Sequence, residues 1–147
     1  MFIEGKAISN RVEGIIHEDT QIQENSLHLT ISKIRELKQR GSLDFGGSER
    51  EIGEASKITP TKKSEEDKYG WWKLNEGGYL IEFNEKIRLE EDDLGLIEPL
   101  SFVEKNGTTH RVKLFSGKLK TASLLLVGNN GIDIKENARI SKLRIWR

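Results

Sequence analysis

The chain has 147 residues, the length of a single domain, so a second independent core is not expected. Its 24 Lys and Arg balance its 24 Asp and Glu, which excludes an overall charge that would draw it to nucleic acid or to an anionic membrane. The absence of Cys excludes disulfides and thiolate metal sites, and no apolar run resembles a signal peptide or reaches the about 20 residues of a membrane span. These features predict a cytoplasmic protein without a membrane partner.

Within the first third of the chain, the spacing of the apolar residues changes from helical to strand-like. Residues 5–16 carry apolar side chains at helical spacing, which predicts a short amphipathic N-terminal helix. Over residues 21–31 the apolar side chains alternate, and this period of two predicts strands. Ile34 and Leu37 follow after a predicted short break.

Residues 39–68 mix Gly, Ser, Glu and Lys with little apolar periodicity, which predicts a long and partly mobile insertion. Seven short β-like runs are also predicted, at 70–74, 79–83, 86–89, 94–97, 110–114, 122–127 and 139–146. Turn signals separate several of them, at 75–78, 91–93, 106–107 and 129–131. Many short strands joined by Gly and Asn turns favour one mainly β domain over residues 1–147, built as a sandwich or barrel.

The run Leu-Leu-Leu-Val at 124–127 does not alternate apolar and polar residues. A half-buried strand would show that alternation, whereas a strand covered on both faces would not. We therefore expect this run to be buried on both sides, in the core or against another subunit.

Three further segments stand in a fixed order and spacing. The first is IQENSLHL at 22–29, the second extends from YLIEFNE at 79–85 to LSFVEKNG at 100–107, and the third joins NNG at 129–131 to RISKL at 139–143. Together they resemble the early strand, the Pro-Arg-Ser-Ser-Leu-x-Arg-x-Gly motif and the final strand of the dUTPase and dCTP deaminase superfamily. The resemblance implies a distorted β-barrel or jelly-roll-like domain that assembles as a homotrimer, with active sites at the subunit boundaries.

Both reactions of this superfamily activate a water molecule, and a positioned carboxylate must accept its proton. The resemblance places that carboxylate between the Ser-rich motif and the Asn-x-Gly turn. In this chain the corresponding window, 105–132, contains neither Asp nor Glu, and Leu126 occupies the position that matches the deaminase glutamate. No catalytic residue is therefore assigned.

Several polar residues of the motifs remain even though others are changed. His28 replaces the early Asp, and Leu100 and Phe102 replace the Arg and the second Ser of the Ser-rich motif. A His-Arg pair follows two Thr, in a stretch similar to Thr-Ala-His-Arg of some deaminases. The resemblance implies that a pyrimidine deoxynucleotide, with Mg²⁺ if it is a triphosphate, would be held by Ser101, Lys105, Asn106, Gly107, His110, Arg111 and Lys142.

Each of these residues also has a structural interpretation. Ser101 can cap a turn, the two lysines can be solvated surface charges, and a lone His in a strand is commonly a hydrogen-bonded structural residue. The pair Trp71-Trp72 is expected in the core or an interface and not as a base-stacking platform.

Metal and nucleic-acid sites are weakly supported by the sequence. The three His are too scattered for a local metal motif, and the acidic run 90–93 is predicted to be a solvated turn. Basic residues around 33–40 and at 113–120 lack interleaved aromatic residues, so nucleic acid is not an expected partner.

Two functions remain open from the sequence. The first is a catalytically impaired relative that binds a pyrimidine deoxynucleotide or serves as a trimeric scaffold. The alternative is an active dUTP pyrophosphatase or dCTP deaminase whose acid is delivered from elsewhere, with Asp44, Glu82, Glu85 and Asp133 as candidates.

Overall fold

The computed structural model describes residues 1–119 and 123–147. Of these described residues, 45% are in strands and 11% in helices, which confirms the mainly β prediction. The helices are α1 (Gly5–Ile8), α2 (Glu18–Gln21) and α3 (Ser101–Lys105), and a 3₁₀ turn spans Ser9–Arg11. The strands are β1 (Val12–Glu13), β2 (Leu27–Leu37), β3 (Ala55–Lys57), β4 (Trp71–Leu74), β5 (Gly77–Phe83), β6 (Lys86–Ile87), β7 (Leu94–Pro99), β8 (Thr108–His110), β9 (Lys113–Phe115), β10 (Ser123–Val127), β11 (Ile132–Lys135) and β12 (Arg139–Trp146). Within these residues, no helix has the length and apolar character needed to cross a membrane.

The N-terminal helix is present but shorter than the predicted 5–16. It ends as α1 at Ile8, and the chain then enters the 3₁₀ turn and β1. Gly14 lies in the left-handed region at φ 84°, so the helix cannot continue through it. Ile8 and Val12 are buried as expected, whereas Ile16 is exposed.

Seven strands form a continuous antiparallel path in the order β8-β10-β5-β2-β12-β7-β9, and β3 adds to one end of β2. The prediction of one strand at 110–114 is wrong, because β8 ends at His110 and β9 begins at Lys113 on the opposite edge of the sheet. Two linking residues span at most about 11 Å, so the two edges must approach each other. The sheet therefore curls into a half-barrel, as the resemblance implied.

The predicted break before Ile34 is also absent. Strand β2 is continuous for 11 residues and accommodates its irregularity as a bulge between Ile31 and Lys33 in its pairing with β5. The segment 39–68 contains β3 and two isolated bridges, Ser42 with Glu51 and Thr61 with Trp71, so it is more regular than predicted.

Two clusters of buried side chains fill the half-barrel. The first lies under β2, β5 and β10 and is closed by the β4–β11 pair, with Trp72 and Ile134 among its members. The second lies under β2, β12 and β7 and is closed by α1 and the β1–β6 pair. Trp72 is in the core as predicted, and its indole N–H donates to the Ile58 carbonyl at 2.9 Å.

The run 124–127 alternates in the folded chain, so it is not buried on both sides within one chain, and its burial against another subunit stays a prediction. Leu125 and Val127 are buried, whereas Leu126 is 50% exposed and Leu124 is half-buried. Strand β10 faces the core on one side only, because its other face is the outer surface of the half-barrel.

Candidate functional site

Helix α3 organises the region that the sequence motifs predicted. Its start is anchored where the Leu100 N–H donates to the Ile140 carbonyl at 2.9 Å, and Val103 packs into the first core cluster. Ser101 and Lys105 are four residues apart, so they share the exposed face of this short helix. Each lines a different cleft.

The first cleft, here the Ser101 cleft, has a volume of about 540 Å³ and is lined by His28, Leu100, Ser101, Phe102 and Arg139. Arg139 Nη1–H donates to His28 Nδ1 at 3.2 Å, which requires that nitrogen to be unprotonated. Burial first, and then the charges of Arg139 and Lys142, lower the pKa of His28. The cleft therefore combines a neutral imidazole, a hydroxyl and a guanidinium with an apolar wall.

The second cleft, here the Lys105 cleft, has a volume of about 480 Å³ and lies between two turns, 104–107 and 128–131. The turns touch where the Gly128 N–H donates to the Gly107 carbonyl at 3.0 Å. A Cβ on Gly128 would lie only 2.6 Å from that oxygen, so glycine is required there. The structure thus brings Lys105, Asn106 and Gly107 together with the Asn-x-Gly turn.

Two other predicted residues lie outside these clefts. Lys142 is half-buried on β12, in register between His28 of β2 and Glu98 of β7, and so stands beside the Ser101 cleft without lining it. Arg111 is exposed in the two-residue link between β8 and β9. The single chain therefore does not bring all seven predicted residues into one site.

His110 is buried, and both of its ring nitrogens have hydrogen-bond partners within the chain. It is 3% exposed, and its Nδ1–H donates to the Arg111 carbonyl at 2.9 Å, since that oxygen can only accept. Nε2 lies 2.7 Å from Ser141 Oγ and accepts the hydroxyl proton when the ring is neutral. Burial lowers the pKa of His110 more than the Arg111 carbonyl and Glu104 raise it, so the neutral ring is favoured.

Leu126, at the position of the family's acid, lies on the outer face of β10. It pairs with Gly78 of β5 and Thr109 of β8. A Cβ on Gly78 would meet side-chain carbons of Leu37, Leu124 and Leu126 at 3.4, 3.8 and 4.0 Å. These three leucines form an exposed apolar surface, here the leucine patch.

None of the four displaced acids lines either cleft. Glu85 is buried and hydrogen-bonded. Asp44 accepts the Glu49 N–H at 3.2 Å within residues 39–68, and Glu82 pairs with Arg35 at 3.6 Å. Asp133 is exposed on β11 opposite Lys73. The carboxylate that does line the Lys105 cleft is Glu104, just before the window in which the family places its acid.

The side chains do not fit a protein-held metal ion. Among residues 1–119 and 123–147, no three His, Asp or Glu side chains converge as metal ligands. The family's early Asp is here His28, and His28 is already engaged with Arg139. Magnesium would find no carboxylate ligand in the Ser101 cleft.

Arg139 is the site residue that sequence reasoning missed. Arg139 begins the motif RISKL at 139–143, which resembles the family's final strand, but no binding role was assigned to it there. The bulge between Arg139 and Ser141 turns the strand there and brings the guanidinium to His28.

Comparison with known proteins agrees with this architecture. No family model matches the chain. A probable deoxyuridine 5'-triphosphate nucleotidohydrolase of Methanosarcina mazei is 33% identical over 144 residues, which are 96% of this chain and 81% of that protein. One from Methanococcoides burtonii is 31% identical over 138 residues, 92% of this chain and 78% of that protein.

Among solved structures, the 2'-deoxycytidine 5'-triphosphate deaminase from Agrobacterium tumefaciens superposes with a TM-score of 0.67 at 14% identity. The match covers 98% of this chain but 46% of the deaminase chain, and it establishes the fold alone. The half-barrel, the ordered motifs and the similarity to the archaeal proteins over nearly the whole chain lead to one assignment: the chain belongs to the dUTPase and dCTP deaminase superfamily.

Proposed function

We propose that this protein is a catalytically impaired member of its superfamily, which binds a pyrimidine deoxynucleotide along α3 without converting it. The observation that supports the proposal is Leu126: the residue that the resemblance matches to the deaminase glutamate is a half-exposed hydrocarbon in the leucine patch, and it cannot accept a proton from water. The polar groups beside the two clefts can still bind phosphate oxygens and a base, because Lys105 and Arg139 are cationic and the Asn-x-Gly turn offers amide groups.

The homotrimer belongs to the same proposal. The clefts do not collect Arg111 or Lys142 within one chain, and a neighbouring subunit can contribute such residues. Three apolar side chains of the insertion, Leu43, Phe45 and Ile52, are almost fully exposed, and the leucine patch is another uncovered apolar surface. Exposed apolar surface of this kind is characteristic of interfaces. We place the trimer in the cytoplasm, with magnesium arriving on the nucleotide.

Nucleotide binding is tested by thermal unfolding of the whole protein. Pyrimidine deoxynucleotides are expected to raise Tm in a concentration-dependent way, by the linkage between ligand binding and stability. Lys105→Gln is expected to weaken this effect about tenfold in concentration, because one charge-assisted phosphate contact is lost. Light scattering on the same sample should give the mass of three 16.8 kDa chains.

Lys62→Gln, an exposed lysine in the insertion, is the matched control and should leave the nucleotide response unchanged. Unaltered Tm with dUTP, dCTP and dTTP would contradict nucleotide binding and leave the scaffold role. An equal loss in both lysine variants would show that the contact is not at the Lys105 cleft.

An active enzyme is the second candidate, because Glu104 lines the same cleft as Lys105 and the Asn-x-Gly turn. It would have to act as the general base from a position before the family's window. The substitution Glu104→Gln separates the two candidates, since it removes the proton acceptor and keeps the shape of the side chain.

A further inference from the structure

A third cleft lies where β1, β6 and the segment around Lys118 meet. It has a volume of about 300 Å³ and shares no residue with the Ser101 or Lys105 cleft. Its eight lining residues include Asn10, Glu13 and the cations Arg11, Lys86, Arg88 and Lys118. Four of these eight residues are cationic in a chain with no net charge, so the cleft concentrates positive charge.

Arg11 forms a fixed wall of this cleft and is not available to a ligand. Its Nε–H donates to Asp93 at 2.9 Å, Nη1–H donates to the Ala7 carbonyl at 3.1 Å, and Nη2 lies 3.1 Å from Glu90. The other three cations stand against a single carboxylate, Glu13, which leaves a formal charge of +2. No carboxylate in the described part of the chain forms an ion pair with Lys86, Arg88 or Lys118.

The backbone brings two of these cations as close as a β-ladder allows. Arg88 and Lys118 are directly opposite in an antiparallel bridge. The flanking bonds run from the Leu89 N–H to the Gly117 carbonyl at 2.9 Å and from the Leu119 N–H to the Ile87 carbonyl at 3.3 Å. Arg88 and Lys118 are thus a non-hydrogen-bonded pair, the type whose side chains lie closer together. Like charges directly opposite destabilise a sheet, so this pair lowers stability unless an anion lies between the two groups.

We propose that this cleft, here the Arg88 cleft, binds a small phosphorylated anion that carries at least two negative charges. The planar fork of Arg88 matches a phosphate group in a bidentate manner, and Lys118 and Lys86 add point charges beside it. The side chain of Asn10 and the exposed ends of β1 and β6 form the polar rim. The volume suits a pyrophosphate group, either free or as the phosphate tail of a nucleotide. This inference does not depend on the proposed function of the α3 clefts.

The test is a titration of the isotope-labelled full-length protein with inorganic pyrophosphate at low ionic strength, followed by NMR. We expect saturable shifts of the amide resonances of Ile87, Arg88 and Lys118, which weaken as salt is added. Arg88→Gln and Lys118→Gln are each expected to weaken binding about tenfold. Both variants should unfold at the same or a higher temperature than the wild type without ligand, because the like-charge pair is removed.

Lys62→Gln and Lys105→Gln are the controls, and both should bind pyrophosphate at the Arg88 cleft as the wild type does. A parallel titration with dUTP distinguishes the sources: competition at the same resonances identifies a nucleotide tail, and its absence identifies free pyrophosphate. The proposal is overturned if pyrophosphate shifts only resonances near Lys105 and Asn129, or if Arg88→Gln binds it unchanged. If pyrophosphate does not bind at the Arg88 cleft, the effect of Lys105→Gln on the nucleotide response is still expected. The two proposals can therefore fail separately.

Discussion

Asp93→Ala is expected to lower the free energy of unfolding by about 3–5 kcal/mol, the typical effect of removing one partner of a buried ion pair. The Asp93 side chain is fully buried, and Arg11, which is 8% exposed, donates to it at 2.9 Å. The Glu90 N–H donates to the same Asp93 oxygen, Oδ2, at 3.0 Å, and Arg147 Nε lies 3.6 Å from the other oxygen, Oδ1. Without Asp93 the guanidinium of Arg11 stays buried with only part of its charge balanced. Urea denaturation near neutral pH measures the change.

The same carboxylate makes stability depend on acid. Burial raises the pKa of Asp93, but the hydrogen bonds from Arg11 and Glu90 and the charges of Arg11 and Arg147 outweigh it, so its pKa falls below the ordinary 3.8. The stabilisation is therefore complete above that ordinary value and is lost as pH falls from it toward the lowered value. The Ala variant should lack this component.

Asp92→Ala is the matched control, because Asp92 is the exposed neighbour and its removal changes the charge equally. It should unfold like the wild type, with a difference within about 0.5 kcal/mol. Equal losses in the two variants would mean that charge, and not the buried pair, is responsible.

Glu85→Ala is expected to cost about 3 kcal/mol, which corresponds to a fall in Tm of about 6–12 °C for a chain of this size. Glu85 accepts the backbone N–H and the hydroxyl of Thr30, both at 2.6 Å, and the side-chain amide of Gln21 at 3.1 Å. Gln21 in turn accepts the N–H groups of Ile16 and His17 at 2.8 and 3.0 Å. Removing Glu85 leaves buried donors without acceptors and loosens α2 from β2.

Glu76→Ala, at an exposed turn, is the control for Glu85 and should leave Tm unchanged. Differential scanning calorimetry of both variants gives the comparison. A Glu85→Ala protein as stable as the wild type would show that the Gln21–Glu85–Thr30 network does not secure the N-terminal region.

The sequence predicted the parts of this fold that depend on local pattern. Alternation identified β2, short β-like runs identified β5, β7 and β12, and the Gly and Asn turns fell where they were expected. What it missed depends on contacts between distant residues. The division of 110–114 into β8 and β9 follows from the curl of the whole sheet, which two residues cannot encode. Gln21, assigned to the alternating region, is instead a buried polar link whose partners are Glu85 and the His28 carbonyl.

The candidate site was predicted unevenly for the same reason. Lys105, Asn106 and Gly107 were found because they adjoin a turn motif, and the Asn-x-Gly turn joins them through the Gly107–Gly128 contact. The contact of His110 with Ser141 could not be predicted, because the two residues are 31 positions apart in the chain. For Leu126, the sequence showed that the residue cannot accept a proton, but it did not show that the side chain is half-exposed on the outer face of β10.

The proposed loss of activity depends on the missing proton acceptor, and product formation tests that loss most directly. The purified protein is incubated with dUTP or dCTP and Mg²⁺ over a range of temperatures, and nucleotides, ammonia and pyrophosphate are quantified. We predict no dUMP with pyrophosphate and no dUTP with ammonia above the rate in buffer, and recovery of the bound nucleotide intact. If the wild type converts a nucleotide and the Glu104→Gln variant does not, the proposed loss of activity is contradicted and this chain is an enzyme with a displaced base.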